Sequence, residues 1–327
     1  MTFQAKHSDE EFMAVWKKYG SPTRVAQELG LNVRSVHTRR RAIEAKNKAK
    51  IDTWNDTSTR RIVIKKDEGR IDIDVENGVV IVFSDAHFWP NVRTTAFRAL
   101  LALIKELKPV AVLNNGDAFD GATVSRWPDI SWMDRQKKPT VIDELNAVKD
   151  RLGEIEAVWK CIWAWMLGNH DARYEAKLAA VAPEFEGVPG FTLKEHFPSW
   201  RPCWTFWING NVRVNHFYHT GIHDTHNNLL KGQVHSVTGH THSLKVSEWT
   251  NAMGETIYGV NTGTLANSLD QHNVDYQHGL HGNHRSGFAV LTFRNGRLLR
   301  PELVSVWDED TFEFRGELRN ADTGALI

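Results

Sequence analysis

The chain of 327 residues has almost no cysteine. Cys161 and Cys203 are its only two, which excludes a fold built on disulfides and points to a reducing, cytoplasmic setting. Long hydrophobic runs are missing as well. The most apolar stretch, 157–167, is 11 residues and is broken by Lys160, too short to span a membrane. The opening MTFQAKHSDEEF has no apolar core, so no secretory signal is expected. Net charge is also absent, at +0, but 41% hydrophobic and 24% charged residues leave a globular composition. Collagen-like and wholly disordered chains are excluded, and the length suits about two domains.

The zero net charge is a sum of unlike parts. Residues 1–70 carry 16 Lys and Arg against 9 Asp and Glu, and the remainder carries the opposite excess. Within 30–50, Arg34, Arg39, Arg40, Arg41, Lys46, Lys48 and Lys50 stand against Glu44 alone. Such a local excess suits a nucleic-acid-facing segment; a solvated helix face is the plainer explanation. Helical spacing of Phe12, Val15 and Trp16 predicts a helix over 9–19, stopped by Gly20. Ser21-Pro22 starts a second helix, 22–29, burying Val25, Ala26 and Leu29. After a turn at Gly30-Leu31-Asn32, a basic third helix runs from about 33 to 49. Residues 1–46 therefore resemble a helix-turn-helix module, with 47–60 a polar linker. The resemblance places the third helix in the DNA major groove, with Asn32, Arg34, Ser35, His37, Thr38 and Arg41 as contacts; a protein-docking bundle is the alternative.

From residue 61 onward the pattern is α/β. Strand 79–83 ends in Ser84-Asp85-Ala86-His87; strand 110–113 ends in Asn114-Asn115-Gly116-Asp117-Ala118-Phe119-Asp120; strand 162–166 ends in Gly168-Asn169-His170-Asp171. Amphipathic helices are expected after the first strand and over about 141–158. Strands near 212–214 and 237–238 run into His216 and into Gly239-His240-Thr241-His242. Polar residues at strand C-termini are how α/β proteins build a site. Oxygen and imidazole donors without nearby thiolates suit two divalent ions, manganese first, with iron, zinc or nickel as alternatives. An Asp bridging such a pair lets it clamp a phosphate and acidify a water.

Asp85-X-His87, Gly116-Asp117-X-X-Asp120, Gly168-Asn169-His170-Asp171, His216 and Gly239-His240-X-His242 together are similar to the motifs of the calcineurin-like metallophosphoesterases, over about residues 78–306. The resemblance implies a two-sheet sandwich flanked by helices within a catalytic domain of residues 61–327. It implies one ion held by Asp85, His87, Asp117 and His242, and a second by Asp117, Asn169, His216 and His240. A metal-bridging hydroxide would attack phosphorus, His170 would protonate the leaving oxygen, and Asp171 would orient His170. Asp120 either supports the ligands or caps a turn. Arg173 either steadies a phosphate oxygen or pairs on a helix surface. His219 competes with His216 for the fourth motif, and Phe217 stands where many family members have glycine. Most histidines outside the motifs, His284 among them, are expected in loops or at the surface.

The segment 121–138 follows the bridging Asp, and Arg126, Trp127, Trp132, Arg135, Lys137 and Lys138 could grip phosphates or stack on bases. Three functions compete. The first is a DNA phosphodiesterase or nuclease tethered by its helical module. The second is a phosphatase or cyclic-nucleotide phosphodiesterase whose helices dock a protein. The third is a regulatory DNA-binding protein with a vestigial metal site. Strands at 288–293 and 303–306 are expected to close the second sheet, and residues 316–327 to fray.

Overall fold

The structure, a computed structural model, describes residues 7–49, 51, 69–125, 138–185, 187–267 and 283–327. The chain divides into two compact units, Met1–Lys65 and Lys66–Ile327. Among the described residues no helix is long and apolar enough to cross a membrane.

In the first unit, helices α1 (Asp9–Tyr19), α2 (Pro22–Leu29) and α3 (Val33–Asn47) follow the local signals closely. The Ser8 hydroxyl accepts from the Glu11 amide, and the Asn32 side chain accepts from the Ser35 amide at 2.7 Å, capping α1 and α3. Gly20 and Gly30 end α1 and α2 at φ of 55° and 61°, where a side chain would be strained. Phe12, Trp16, Val25, Ala26, Leu29, Val36 and Ile43 form the core, while Val15 is only partly buried.

The second unit holds two sheets. The larger contains β2 (Gly78–Phe83), β3 (Ala111–Asn114), β4 (Ile162–Met166) and β5 (Arg201–Cys203), parallel and adjacent in that order. It continues antiparallel from β2 through β11 (Gly287–Arg294), β13 (Glu302–Val306), β14 (Thr311–Phe314) and β15 (Glu317–Asn320), with β12 (Arg297–Leu298) paired to β11. The second sheet runs β1 (Arg70–Ile73), β6 (Thr205–Ile208), β7 (Val212–Val214), β8 (His235–Thr238), β10 (Thr256–Asn261), β9 (Lys245–Thr250).

Alternation along the strands decides what each face covers. Val80 and Val82 of β2, Leu113 of β3 and Met166 of β4 point toward Phe206, Val214, Val237 and Val260 of the second sheet. Ile81, Phe83, Val112 and Trp165 pack the opposite face against helix α4 (Thr95–Leu107) and helix α5 (Val141–Val158), through Phe97, Leu100, Val148 and Leu152. Buried on both faces, these strands read as unbroken apolar runs, as parallel strands do.

Parallel pairing places the site. Val82 lies beside Leu113, and Leu113 beside Ala164, so the loops after β2, β3 and β4 emerge side by side. In the second sheet Val214 lies beside Val237, which does the same for the loops after β7 and β8. The expected fraying of 316–327 is wrong. Residues 317–320 pair with β14, Ala321 is fully buried, and Arg98 of α4 bonds Asp322 at 2.7 Å.

Candidate active site

Five of the seven residues expected to hold metal adopt left-handed backbone: Asp85 (φ 52°), His87 (40°), Asp117 (56°), His240 (67°) and His242 (54°). Non-glycine residues rarely do so, at a cost of about 1–3 kcal/mol each. The loops hold one another in this shape. The Asp85 amide donates to the Gly116 carbonyl at 2.8 Å, the His87 amide to Asp117 O at 2.9 Å, and the His240 amide to Asp85 Oδ2 at 2.9 Å. Two motif glycines permit the close approach. A Cβ at Gly168 would collide with the Asp117 carboxylate, and one at Gly239 with Ser84 and Asp85.

Among the described residues three groups that could hold a cation result: Asp85 with His87 and His242, Asp117 with His216 and His240, and His87 with Asp120 and His170. In each the ligand atoms lie within 4.8 Å of one another. His242 Nε2 is 3.1 Å from Asp85 Oδ1, and His216 Nε2 is 3.1 Å from Asp117 Oδ2. His216 Nδ1 lies 2.7 Å from the Asn115 carbonyl, so it donates there and turns the Nε2 lone pair toward the carboxylate. Two lone pairs do not face each other without a proton or a cation between them. Burial pulls the His216 pKa down, but the Asp117 and Asp85 charges overcome it and carry it to about 10. Asp85 shows the mirror image: burial favours its neutral form, yet His242 and His216 hold it at about 2. A divalent ion would supply the same positive charge. Asn169 Oδ1 is buried without a hydrogen-bond partner, and the neighbouring His170 amide donates to Asp117 Oδ1 at 2.8 Å. The donor set fits two hard or borderline divalent ions. Neither thiol competes, since burial raises Cys161 to about 11 and Cys203 to about 12.

His170 packs its ring on His87, centroids 4.6 Å apart. Its expected partner does not reach it. Asp171 opens helix α6 (Ala172–Val181) with helical backbone, and its fully buried carboxylate points under the loops. There it accepts from the amides of Asp117 (2.8 Å), Gly168 (2.8 Å) and Phe119 (3.0 Å) and from Trp165 Nε1 (2.9 Å). Asp171 therefore pins two motif loops together and does not orient His170. Asp120 does that: its Oδ1 lies 3.1 Å from His170 Nδ1 and 2.8 Å from His87 Nδ1, and its carbonyl 2.9 Å from His170 Nδ1. Burial works against a charged His170, but Asp120 and Asp117 outweigh it and raise its pKa above the ordinary value.

Among the described residues Arg173 makes no ion pair on the helix surface. It donates to His170 Nε2 at 3.0 Å and to the Asp120 carbonyl at 3.0 Å, facing the site instead of a surface carboxylate. His219 joins neither cluster. Its amide donates to Asn228 Oδ1 at 2.8 Å and its ring lies on Tyr218, so His216 holds the fourth-motif position. Arg126, Trp127, Trp132, Arg135 and Lys137 lie outside the described residues.

Three residues escaped the sequence reading. His284 lies in a loop, as expected, but its ring stands 4.6 Å from that of His242. Asp224, at the head of helix α7 (Asp224–Gly232), is buried and gathers Thr241 Oγ1 (2.6 Å), Asn261 Nδ2 (2.7 Å) and Lys245 Nζ (2.6 Å), tying down the loop of His240 and His242. Glu144 of α5 is fully buried and accepts from the amides of Gly121 (2.8 Å) and Ala122 (3.0 Å), just beyond Asp120. No motif marks these positions, because each acts across the fold on a distant loop.

Burial and the Asp120 charge raise Glu144 from 4.5 to about 7. A carboxyl raised in the folded state stabilises fully below about 4.5, and that contribution is lost as pH rises through 7. Stability of the native chain relative to Glu144→Gln should therefore shrink by about 2 kcal/mol between about pH 5 and pH 8. Denaturant unfolding of both proteins across that range measures it, and a constant difference would contradict it.

In the first unit, Arg34, Ser35, Thr38 and Arg41 are exposed on α3. The other basic residues are partly engaged, Arg39 and Lys46 with Asp9, and Arg40 with Glu44 and over the Trp16 ring. The Thr38 hydroxyl donates to the Arg34 carbonyl at 3.0 Å, leaving it free only to accept.

This arrangement of strand-end loops is matched by the calcineurin-like phosphoesterase family over residues 78–254. The chain belongs to that family and is a metal-dependent phosphoester hydrolase. It is similar to the Gene 54 protein of Mycobacterium phage D29, 27% identical over 250 residues that cover 69% of this chain and 93% of the phage protein. The Gene 54 protein of Mycobacterium phage L5 is 26% identical with the same coverage. Among solved structures, the E. coli phosphoesterase Yfce aligns over 76% of this chain and 96% of its own, with 14% identity and a TM-score of 0.33. A dimetal phosphatase from Danio rerio aligns over 70% and 95%, with 11% identity and a TM-score of 0.34.

Proposed function

We propose that the chain is a DNA phosphodiesterase, a nuclease whose helical first unit holds the substrate. The observation that carries this reading is the exposed Arg34, Ser35, Thr38 and Arg41 face of α3 in one chain with a phosphoester-cleaving site. Asp85, His87, Asp117 and His242 would hold one divalent ion, and Asp117, Asn169, His216 and His240 the other, with manganese as the working metal. When bound, the pair supplies a clamp for phosphate oxygens and a water of lowered pKa. His170 delivers a proton from Nε2 to the leaving oxygen, while Asp120 at Nδ1 fixes the ring and favours its charged form. Protonation of Nε2 removes the acceptor that Arg173 now uses, freeing the guanidinium for a phosphate oxygen.

Labelled single- and double-stranded DNA with added manganese tests this, with a phosphodiester dye ester run in parallel. The full chain should cleave both. In the Arg34→Ala/Arg41→Ala variant, DNA affinity should fall and its slope against log salt should flatten by about 2, while dye-ester hydrolysis is unchanged. Turnover of a phosphomonoester or cyclic nucleotide without DNA cleavage would overturn the reading and favour a protein-docking role for the helices.

A further inference from the structure

Phe217 follows His216 directly, and it is a large apolar side chain left 47% exposed beside a highly polar site. Its ring lies 5.8 Å from that of His216 and 5.4 Å from that of His240. It is not a loose loop residue, since Asn215 Nδ2 donates to its carbonyl at 2.6 Å. One side of the ring thus rests on the second cluster and the remainder faces solvent. His170, the proton donor, rests on His87 in the first cluster. The proton donor and the exposed ring therefore rest on different clusters.

We infer that Phe217 is a stacking platform for the retained nucleoside of a phosphodiester, and so a specificity-determining residue for nucleic-acid substrates over simple phosphoesters. An exposed aromatic face gains from covering a base whatever its identity, which suits cleavage without sequence preference. This inference rests on the phosphodiesterase reading above, and it names the end of the substrate the site recognises.

Two substrates with one leaving group test it in the full chain with manganese: p-nitrophenyl thymidine 5′-phosphate, which retains a nucleoside, and methyl p-nitrophenyl phosphate, which does not. Phe217→Ala should lower kcat/KM on the thymidine ester by about 10- to 100-fold and leave the methyl ester within about twofold. Phe217→Tyr, which keeps the ring, should restore it. Equal losses on both substrates would mean that Phe217 only supports His216 and His240, and no loss on either would mean that it touches nothing; each overturns the platform. Calorimetric binding of thymidine 5′-phosphate and of inorganic phosphate separates this from the parent reading. If neither ester is turned over but thymidine 5′-phosphate still binds through Phe217, the phosphodiesterase reading fails and the platform stands. Equal binding to the native and Phe217→Ala chains would overturn the platform alone.

Discussion

Asp117→Asn is expected to reduce phosphodiester hydrolysis by about 10³-fold or more. Asp117 belongs to the cluster of His216 and His240 and also faces His170: Oδ2 is 3.1 Å from His216 Nε2 and 4.0 Å from His170 Nε2, and Oδ1 accepts the His170 amide. Asparagine keeps an acceptor for that amide while removing the charge that a pair of cations would share. A cation pair supplies several kcal/mol of transition-state stabilisation, and about 4 kcal/mol is already a factor of 10³. The variant should nevertheless fold. Asp117 shares its buried surroundings with Asp85 and with Asp171, itself pushed above the ordinary carboxylate range by burial and by Asp117. Removing the Asp117 charge relieves that repulsion but also takes from His216 its main counter-charge, and the attraction is the larger effect, since His216, His170 and His87 hold Asp117 well below the ordinary carboxylate range; the metal-free variant should therefore melt at a lower temperature than the native chain. Added manganese should raise the Tm of the native chain, and much of that rise should vanish in Asp117→Asn. A variant that kept full activity would remove Asp117 from the site.

His170→Ala is expected to spare metal binding and cost about 10²- to 10⁴-fold in DNA cleavage. The size should depend on the leaving group. A DNA alkoxide leaves poorly without a proton, whereas p-nitrophenolate leaves as a stable anion, so the loss on a dye ester should be much smaller. The pH dependence has a definite sign. In the proposed role His170 acts in its protonated form, so DNA cleavage should fall as pH rises through its pKa. Asp120 helps hold that pKa up, and Asp120→Asn should therefore move the alkaline limb to lower pH. Equal losses on DNA and dye ester in His170→Ala would contradict a proton-donor role.

The strand-end motifs make most of this site legible in the sequence. Asp85, Asp117 and Asn169 follow apolar runs whose length and composition mark buried parallel strands, and parallel neighbours must bring their following loops together. The sequence could not show which carboxylate serves His170. Asp171 is its chain neighbour, and a histidine beside an aspartate invites pairing. Helical backbone at the head of α6 instead sends that carboxylate under the loops, and Asp120, fifty residues earlier in the chain, takes the position. The left-handed backbone at five of the site residues was equally hidden, because loop-to-loop hydrogen bonds impose it and no local preference does. Short strands such as β5 and β6 carry too little periodicity to be seen alone. The final segment looked frayed because its polar residues give no pattern, yet β14 offers an edge and Arg98 an anchor.

The central claim is that the loops after β2, β3, β4, β7 and β8 form one site for two cations. Calorimetric titration of the metal-stripped full chain with manganese tests it most directly. Two equivalents are expected to bind, with His242→Ala weakening one and His216→Ala the other. One equivalent or none in the native chain, or two that survive both substitutions unchanged, would contradict the account.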